Sequence, residues 1–204
     1  MTIDGLDSYL TIAGTSTGEY TERRSKFLAF AFHVEGVDEV KALVQQYEKQ
    51  YYDARHVCYA YMLGHLRENF RAVDNGEPSG TAGKPILGQI NKNELTNILI
   101  IVVRYFGGIK LGTSGLANAY KQAAAESISN ASIEKRTVDV NIDVQFEYPL
   151  MNDVMRVVKE MNPTIIAQDF NNTCSLKLRI RQGDSSRLLS RLNHIHGVTA
   201  EVYE

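Results

Sequence analysis

Two glycine-rich loops contain the residues of this sequence that are best suited to bind an anion. Eight of the fifteen glycines fall between Arg71 and Lys121, in two groups that flank an apolar run. Glycine is favoured where the backbone bends sharply or approaches another group too closely for a side chain. The second loop, at Gly112, opens into a predicted helix, whose first N–H groups lack partners and carry partial positive charge. The loops therefore predict a phosphate-binding surface.

Basic residues accompany both loops. The segment from Arg71 to Lys121 contains six basic and three acidic residues, a local charge of +3 in a chain whose formal charge is -2. Any attraction to nucleic acid must therefore be local. We predict that these residues bind the ligand: Arg55, Gly76, Glu77, Gly80, Thr81, Gly83, Lys84, Arg104, Gly107, Gly108, Lys110, Gly112, Thr113, Ser114 and Gly115.

The same glycines also have a structural explanation. Glycine makes tight turns, and it would let the alanine-rich helix that follows Gly115 lie close to a sheet. The string GEPSGTAGKP, which begins at Gly76, exceeds what an ordinary turn needs and favours a binding role. The sequence has neither a Walker motif nor a dinucleotide fingerprint, so it does not predict nucleotide binding of those standard types.

Acid–base chemistry at the loops would need carboxylates or a histidine. The candidates are Asp53, His56, Asp74 and Glu77. His56 and Cys58 are also predicted to share one face of a strand, which would suit a nucleophile and its base. Spacing alone does not orient a thiolate and an imidazole, however, and a cysteine next to tyrosines is typical of a protein core. We therefore favour a buried Cys58.

A second basic cluster lies on a predicted strand near the C-terminus. Lys177, Arg179 and Arg181 alternate with apolar residues, so they form a row on one face that could contact nucleic acid or the ribosome. In a ferredoxin-like sheet this strand would lie beside the strand that carries Asp139 and Asp143. Cross-strand charge pairing would then account for the row, and we favour this interpretation.

The elements around the first loop include both strands and helices. A long strand is predicted from about Tyr20 to Val34, after a turn at Gly14 to Gly18. A further strand is predicted from Val57 to Leu63, and the polar residues Asp53 to His56 lie where a loop enters it. Thr81 is predicted to N-cap the short helix that follows the first loop. The first glycine-rich loop, which contains Gly76 and Gly80, therefore connects a strand to this helix.

The second loop follows the most apolar stretch of the chain. Residues 98–105 are apolar or β-branched almost throughout, which predicts a strand buried on both faces. Thr113 or Ser114 is predicted to N-cap the next helix. The alanines of that helix predict close packing on the sheet.

The C-terminal third has its own pattern. From Val138 to Tyr148 every second residue is apolar, which predicts a half-buried strand. A helix, two strands, a helix and a last strand follow, and the order βαββαβ is ferredoxin-like. We therefore predict an α+β protein with domains at 1–133 and 134–204.

Composition limits the classes of protein that remain. The 204 residues are 44% hydrophobic, which suits two compact domains, and the two cysteines predict no disulfide framework. The N-terminus has no signal-like segment, and no apolar run approaches the roughly 20 residues that a membrane helix needs. His194 and His196 have no neighbouring ligands. We expect a cytoplasmic protein without membrane contact, metal or cofactor.

Three motifs resemble those of the YigZ/IMPACT family: DARH at Asp53, DNGEPSGTAGKP at Asp74 and VVRYFGGIKLG at Val102. The resemblance covers essentially the whole chain. It implies an N-terminal domain with the ribosomal-protein-S5 domain-2-like fold and a C-terminal ferredoxin-like domain similar to the last domain of elongation factor G. It also implies a link to translation, because eukaryotic IMPACT proteins regulate translation under amino-acid starvation.

Three functions remain open at this point. The leading hypothesis is a non-catalytic protein that binds RNA or the ribosome through backbone phosphates at the two loops. The second is an enzyme that acts on a phosphorylated small molecule or nucleotide, because the S5-like fold is shared with small-molecule kinases. The third is a docking surface for a translation-regulatory protein.

Overall fold

Strand and helix bounds follow the apolar pattern of the sequence closely in the computed structural model, which describes residues 7–171 and 173–203. In chain order the elements are β1 (Ser8–Ile12), β2 (Thr15–Glu22), β3 (Ser25–His33), α1 (Val37–Gln50), β4 (His56–Leu63), β5 (Asn69–Val73), α2 (Gly83–Lys92), β6 (Ile98–Tyr105), α3 (Gly112–Ser129), β7 (Ile133–Thr137), β8 (Asp139–Glu147), α4 (Met151–Met161), β9 (Thr164–Phe170), β10 (Thr173–Arg181), α5 (Gln182–Asn193) and β11 (Thr199–Tyr203). The chain divides into two units, one at Tyr9–Arg136 and the other at residue 137 onward together with Asp7 and Ser8. The α+β class and the two predicted folds are confirmed.

The first unit is built on a five-stranded sheet in the order β2-β3-β6-β4-β5. Neighbouring strands are antiparallel, and β6 lies at the centre, between β3 and β4. Residues of β6 from Ile98 to Arg104 are all buried. This confirms that the apolar run is a strand covered on both faces.

Each face of this sheet has its own core. On one face, alternate residues of β3, β4 and β6 pack against α2 and α3, as Phe27, Cys58 and Val102 do. On the opposite face, residues such as Val103 pack against α1. Arg104 lies on the α3 face, because it is paired with Phe27 on one side and with His56 on the other. Arg104 and His56 are therefore neighbours on the α3 face of the sheet.

The prediction of one continuous strand from Tyr20 to Val34 is wrong, because a hairpin turn divides this segment between β2 and β3. Strands β2 and β3 are joined at Arg23 and Arg24, whose φ angles are +43° and +69°. Two successive positive φ angles match the twist of a two-residue hairpin. Gly18, expected in a turn, lies within β2, where a Cβ would overlap the backbone nitrogen of Ser127 in α3. That glycine permits close helix packing.

The second unit has the βαββαβ order of a ferredoxin-like fold. Its four strands are arranged β11-β8-β10-β9, and every neighbouring pair is antiparallel. A core formed by one face of this sheet and the helices α4 and α5 includes Ile142, Leu176 and Leu188, all fully buried. No helix among residues 7–171 and 173–203 is long and apolar enough to cross a membrane.

Pairing of β10 with β8 places acidic residues opposite two of the three cations of the basic strand. Lys177 lies opposite Asp143, and Arg181 lies opposite Asp139. Arg179 lies opposite Asn141 and donates from Nε to its amide oxygen at 3.3 Å. This register is the one that cross-strand charge pairing requires.

Candidate functional site

A cavity of about 530 Å³ opens in the first unit where β4 begins, β6 ends and α3 begins. Seven of the predicted site residues line it: Arg55, His56, Glu77, Arg104, Lys110, Gly112 and Thr113. Its apolar lining comes from four residues that the sequence did not indicate: Pro78, Phe106, Leu111 and Leu116. The two glycine loops therefore reach one cavity, which combines cationic, apolar and backbone groups.

A buried ion pair forms one wall of the cavity. The Nη1 atom of Arg104 lies 2.6 Å from Oε1 of Glu77, and the Tyr120 hydroxyl donates to the same oxygen at 2.9 Å. Only 5% of Arg104 and 9% of Glu77 are exposed. Burial of two charges is tolerated only when they are paired and hydrogen-bonded, which these contacts achieve. The pair is a fixed part of the unit.

His56 lies beside this pair in a defined tautomer. Its Nδ1 is 3.0 Å from the carbonyl oxygen of Asn75. A carbonyl oxygen can only accept, so Nδ1 carries the hydrogen and donates it. The other ring nitrogen, Nε2, lies 3.9 Å from Oε2 of Glu77. His56 therefore faces the carboxylate of Glu77 and not the thiol of Cys58.

The guanidinium of Arg104 lies between two aromatic rings. Its central carbon is 5.5 Å from the centroid of Phe27 and 5.6 Å from that of Phe106, which are cation–π distances. Phe27 is fully buried, whereas Phe106 is 49% exposed. The ring of Phe106 is therefore in contact with Arg104 and about half exposed.

The carboxylate of Asp74 caps α2 from a distance in sequence. It accepts hydrogen bonds from the backbone N–H groups of Gly80 (2.7 Å), Ala82 (2.9 Å) and Gly83 (2.8 Å). Partial burial by itself would raise the pKa of Asp74, but these three donors, together with Lys84, lower the pKa below its ordinary value. The start of α2 is therefore already occupied by an anion of the protein itself.

Thr81 does not have its predicted role as an N-cap. Its hydroxyl donates to the carbonyl oxygen of Pro78 at 2.6 Å, and α2 begins two residues later with no side-chain cap from Ala82. The prediction was wrong because Asp74 supplies both oxygens from outside the helix. Local spacing gives no sign of a cap from so far along the chain.

The start of α3 differs from that of α2. The helix begins at Gly112, so Thr113 and Ser114 lie within its first turn, and the prediction that either residue is the N-cap was wrong. Within the described residues, no side chain caps this end and the first turn contains no acidic residue. The N–H groups at a helix start carry partial positive charge, and Gly112 and Thr113 line the cavity together with Lys110. This end can receive an external anion.

Cys58 is a core residue, as we favoured. It is fully buried, its thiol donates to the carbonyl oxygen of Asp74 at 2.8 Å, and it lies 3.3 Å from the Tyr120 hydroxyl. Burial raises the pKa of the Cys58 thiol to about 12, although the contact with Tyr120 opposes this change. A thiol with such a pKa is protonated at neutral pH and is a poor nucleophile.

Several predicted site residues lie outside the cavity lining. Asp53 accepts a hydrogen bond from Tyr105, the β6 residue that follows Arg104 and faces the opposite way, at 3.0 Å. Lys84 is exposed beside the turn at Gly80, and Gly107 donates its N–H to the Ser25 hydroxyl at 3.2 Å. The remaining predicted residues that do not line it are Asp74, Gly76, Gly80, Thr81, Gly83, Gly108, Ser114 and Gly115. The basic strand of Lys177, Arg179 and Arg181 belongs to the other unit.

Comparison with known proteins assigns the chain to a family. The model of the Impact N-terminal domain matches residues 23–128, which include every residue that lines the cavity. The IMPACT family member YigZ of Escherichia coli (strain K12) is 30% identical over 177 residues, with 86% of this chain and 87% of YigZ covered. The IMPACT family member YvyE of Bacillus subtilis (strain 168) is 32% identical over 155 residues, which cover 76% of this chain and 71% of YvyE. A crystal structure of a hypothetical protein, 28% identical, superposes with a TM-score of 0.73 and covers 97% of this chain and 98% of its own. The chain belongs to the IMPACT family.

Proposed function

We propose that this protein is a non-catalytic regulator of the translation apparatus that binds RNA phosphate at the cavity where α3 begins. The observation that carries the proposal is the uncapped start of α3, at Gly112 and Thr113, beside the side chains of Lys110 and Arg55 in one cavity. Helix starts of this kind bind phosphate through backbone N–H groups, and the two cations add charge. We favour RNA as the phosphate ligand because the resemblance of the sequence motifs to the family implies a link to translation.

The hydrogen bonds of the acidic residues support binding in preference to catalysis. Asp74 accepts three backbone N–H groups, and Glu77 accepts from both Arg104 and Tyr120. A general base must have a lone pair directed at its substrate, and these carboxylates already serve the fold. Of the four acid–base candidates, His56 retains a ring nitrogen at the cavity wall.

An enzyme that acts on a phosphorylated small molecule or nucleotide is the second candidate. The volume of the cavity favours it, because about 530 Å³ lies within the range of small-molecule sites. His56 would then be the proton acceptor or donor beside Glu77. A thermal-shift screen with nucleotides and phosphorylated metabolites separates the two candidates, since turnover or a selective shift by one free metabolite would favour the enzyme.

Binding of RNA or ribosomes should weaken steeply with salt, and the double substitution Arg55→Ala/Lys110→Ala should reduce it. Each phosphate contact removed lowers the slope of log affinity against log salt by roughly 0.7–0.9, so we expect a decrease of up to about two. Both residues are exposed, so their loss should leave the fold intact. Fluorescence anisotropy with labelled RNA over a series of salt concentrations measures the effect.

Lys92→Ala is the matched control, because Lys92 is an exposed lysine in the last turn of α2 and does not line the cavity. Its affinity and salt slope should equal those of the wild type. Lys177→Ala tests the basic strand in the same way and should also have no effect. Absence of binding, or binding that salt does not weaken, would contradict the proposal.

A further inference from the structure

We infer that the cavity holds one unstacked nucleotide of single-stranded RNA, with its base against Phe106 and its phosphate at the start of α3. The inference rests on the proposed function and specifies the ligand of the same site. The lining of the cavity does not match a bare phosphate. An anion needs only donors and cations, whereas Phe106, Leu111 and Leu116 give this cavity a substantial apolar wall.

Phe106 is suited to stack with a base. It is 49% exposed, although it is a large aromatic residue directly after a central strand. The central carbon of the Arg104 guanidinium lies over the ring, 5.6 Å from its centroid, and the exposed part of the side chain can contact a ligand. Exposed aromatic rings of this kind take unstacked bases of single-stranded RNA.

The platform under Phe106 is rigid. Arg104 is clamped between Phe27 and Phe106 and is bonded to Glu77, which in turn is bonded to Tyr120. Each member of this chain except Phe106 is buried. A ring that is already ordered loses little conformational entropy when a base stacks on it. The buried ion pair thus has a use beyond stability, because it fixes the position of the stacking surface.

Polar groups of the cavity are placed for the phosphate of the same nucleotide. Gly112, Thr113 and Lys110 line it at the uncapped start of α3. Arg104 also lines it, is only 5% exposed, and has an Nε that finds no hydrogen-bond partner within the described residues. A buried donor atom that no acceptor of the described residues satisfies therefore lies in a side chain that lines the cavity. A cavity with an apolar wall and a polar, cationic end matches a nucleotide, which has an aromatic part and an anionic part.

Double-stranded RNA fits this cavity poorly. Its bases are paired and stacked within the helix, so a base must leave the stack before it can reach Phe106. A single strand presents its bases at much lower cost. The site should therefore prefer single-stranded segments, such as loops and ends, to continuous duplex.

The test compares a labelled single-stranded RNA of mixed sequence with a chain of the same length that has ribose and phosphate but no bases. Anisotropy at one low salt concentration should give an affinity about ten- to one-hundredfold higher for the intact RNA. Phe106→Ala should lower the affinity for intact RNA to that of the base-free chain. Phe106→Tyr keeps an aromatic ring and should retain most of the preference.

The possible outcomes distinguish failure of the nucleotide site from failure of phosphate binding. Equal affinity for the two chains, or an unchanged preference in Phe106→Ala, would overturn the nucleotide site while phosphate binding stands. Binding of neither chain would overturn both. A preference for duplex over the single strand would also contradict the inference, because no base could then occupy the cavity.

Discussion

Glu77→Ala should destabilise the first unit by about 3–5 kcal/mol, the cost of removing one partner from a buried ion pair. The substitution leaves the guanidinium of Arg104 with 5% exposure and without its 2.6 Å acceptor, and it removes the acceptor of the Tyr120 hydroxyl as well. A charge that is buried and unpaired is much more costly than a missing contact on the surface. Urea denaturation followed by circular dichroism measures the change.

A double-mutant cycle shows whether the pair is responsible. Arg104→Met should also be strongly destabilising, because Glu77 then remains buried without its cation. The double variant Glu77→Leu/Arg104→Met should lose less stability than the sum of the two single changes, because no unpaired charge remains. Additive losses, or a loss below about 1 kcal/mol for Glu77→Ala, would contradict a tightly coupled buried pair.

Gly83→Ala and Gly88→Ala should have effects of opposite sign, although both lie in α2. A Cβ at Gly83 would overlap the backbone nitrogen of Val73 in β5, and backbone cannot move aside as a flexible side chain can. We expect a loss of roughly 2–3 kcal/mol from this overpacking. Gly88 is exposed and has open space around the position of a Cβ. There alanine should add roughly 0.5–1 kcal/mol, because it is the better helix former.

Thermal unfolding of the two variants side by side measures the difference. The helix and the type of substitution are the same, so propensity cannot explain a difference in sign. Equal stabilisation by both substitutions would show that α2 does not pack on β5 as closely as the structure indicates. A loss in Gly88→Ala would contradict the account of the exposed position.

The main architecture could be predicted from the sequence because it depends on periodic apolar burial. Residues 98–105 are apolar or β-branched almost throughout, which predicted a central strand. The structure agrees, because β6 is buried at every residue except the last. Alternation from Val138 gave β8, and the order of the elements after it identified the ferredoxin-like fold. Local sequence patterns predict these features, because alternating apolar residues indicate a strand buried on one face and a continuous apolar run indicates burial on both faces.

Features that have no signature in the local sequence could not be predicted. Arg23 and Arg24 form the β2–β3 turn without glycine or asparagine, so turn chemistry gave no signal. Asp74 caps α2 from outside the helix, which displaced Thr81 from that role. Tertiary contacts override local propensity in such cases.

The candidate site was predicted in part. The sequence indicated Lys110, Gly112 and Arg104, since glycine and charge mark a loop that opens into a helix. It did not indicate that Arg104 is paired with Glu77, because that contact joins the loop between β5 and α2 to the end of β6. Phe106 was also missed. Its place two residues after Arg104 was the available signal for a residue at the same end of β6.

Amide chemical shifts at the start of α3 report directly whether RNA binds there. An NMR titration of the wild-type protein with single-stranded RNA should move the backbone N–H signals of Gly112, Thr113 and Ser114 early and saturably. Signals of the basic strand at Lys177 should stay in place. Unchanged signals at the start of α3 while RNA binds, or changes confined to the strand of Lys177, would contradict the proposed site.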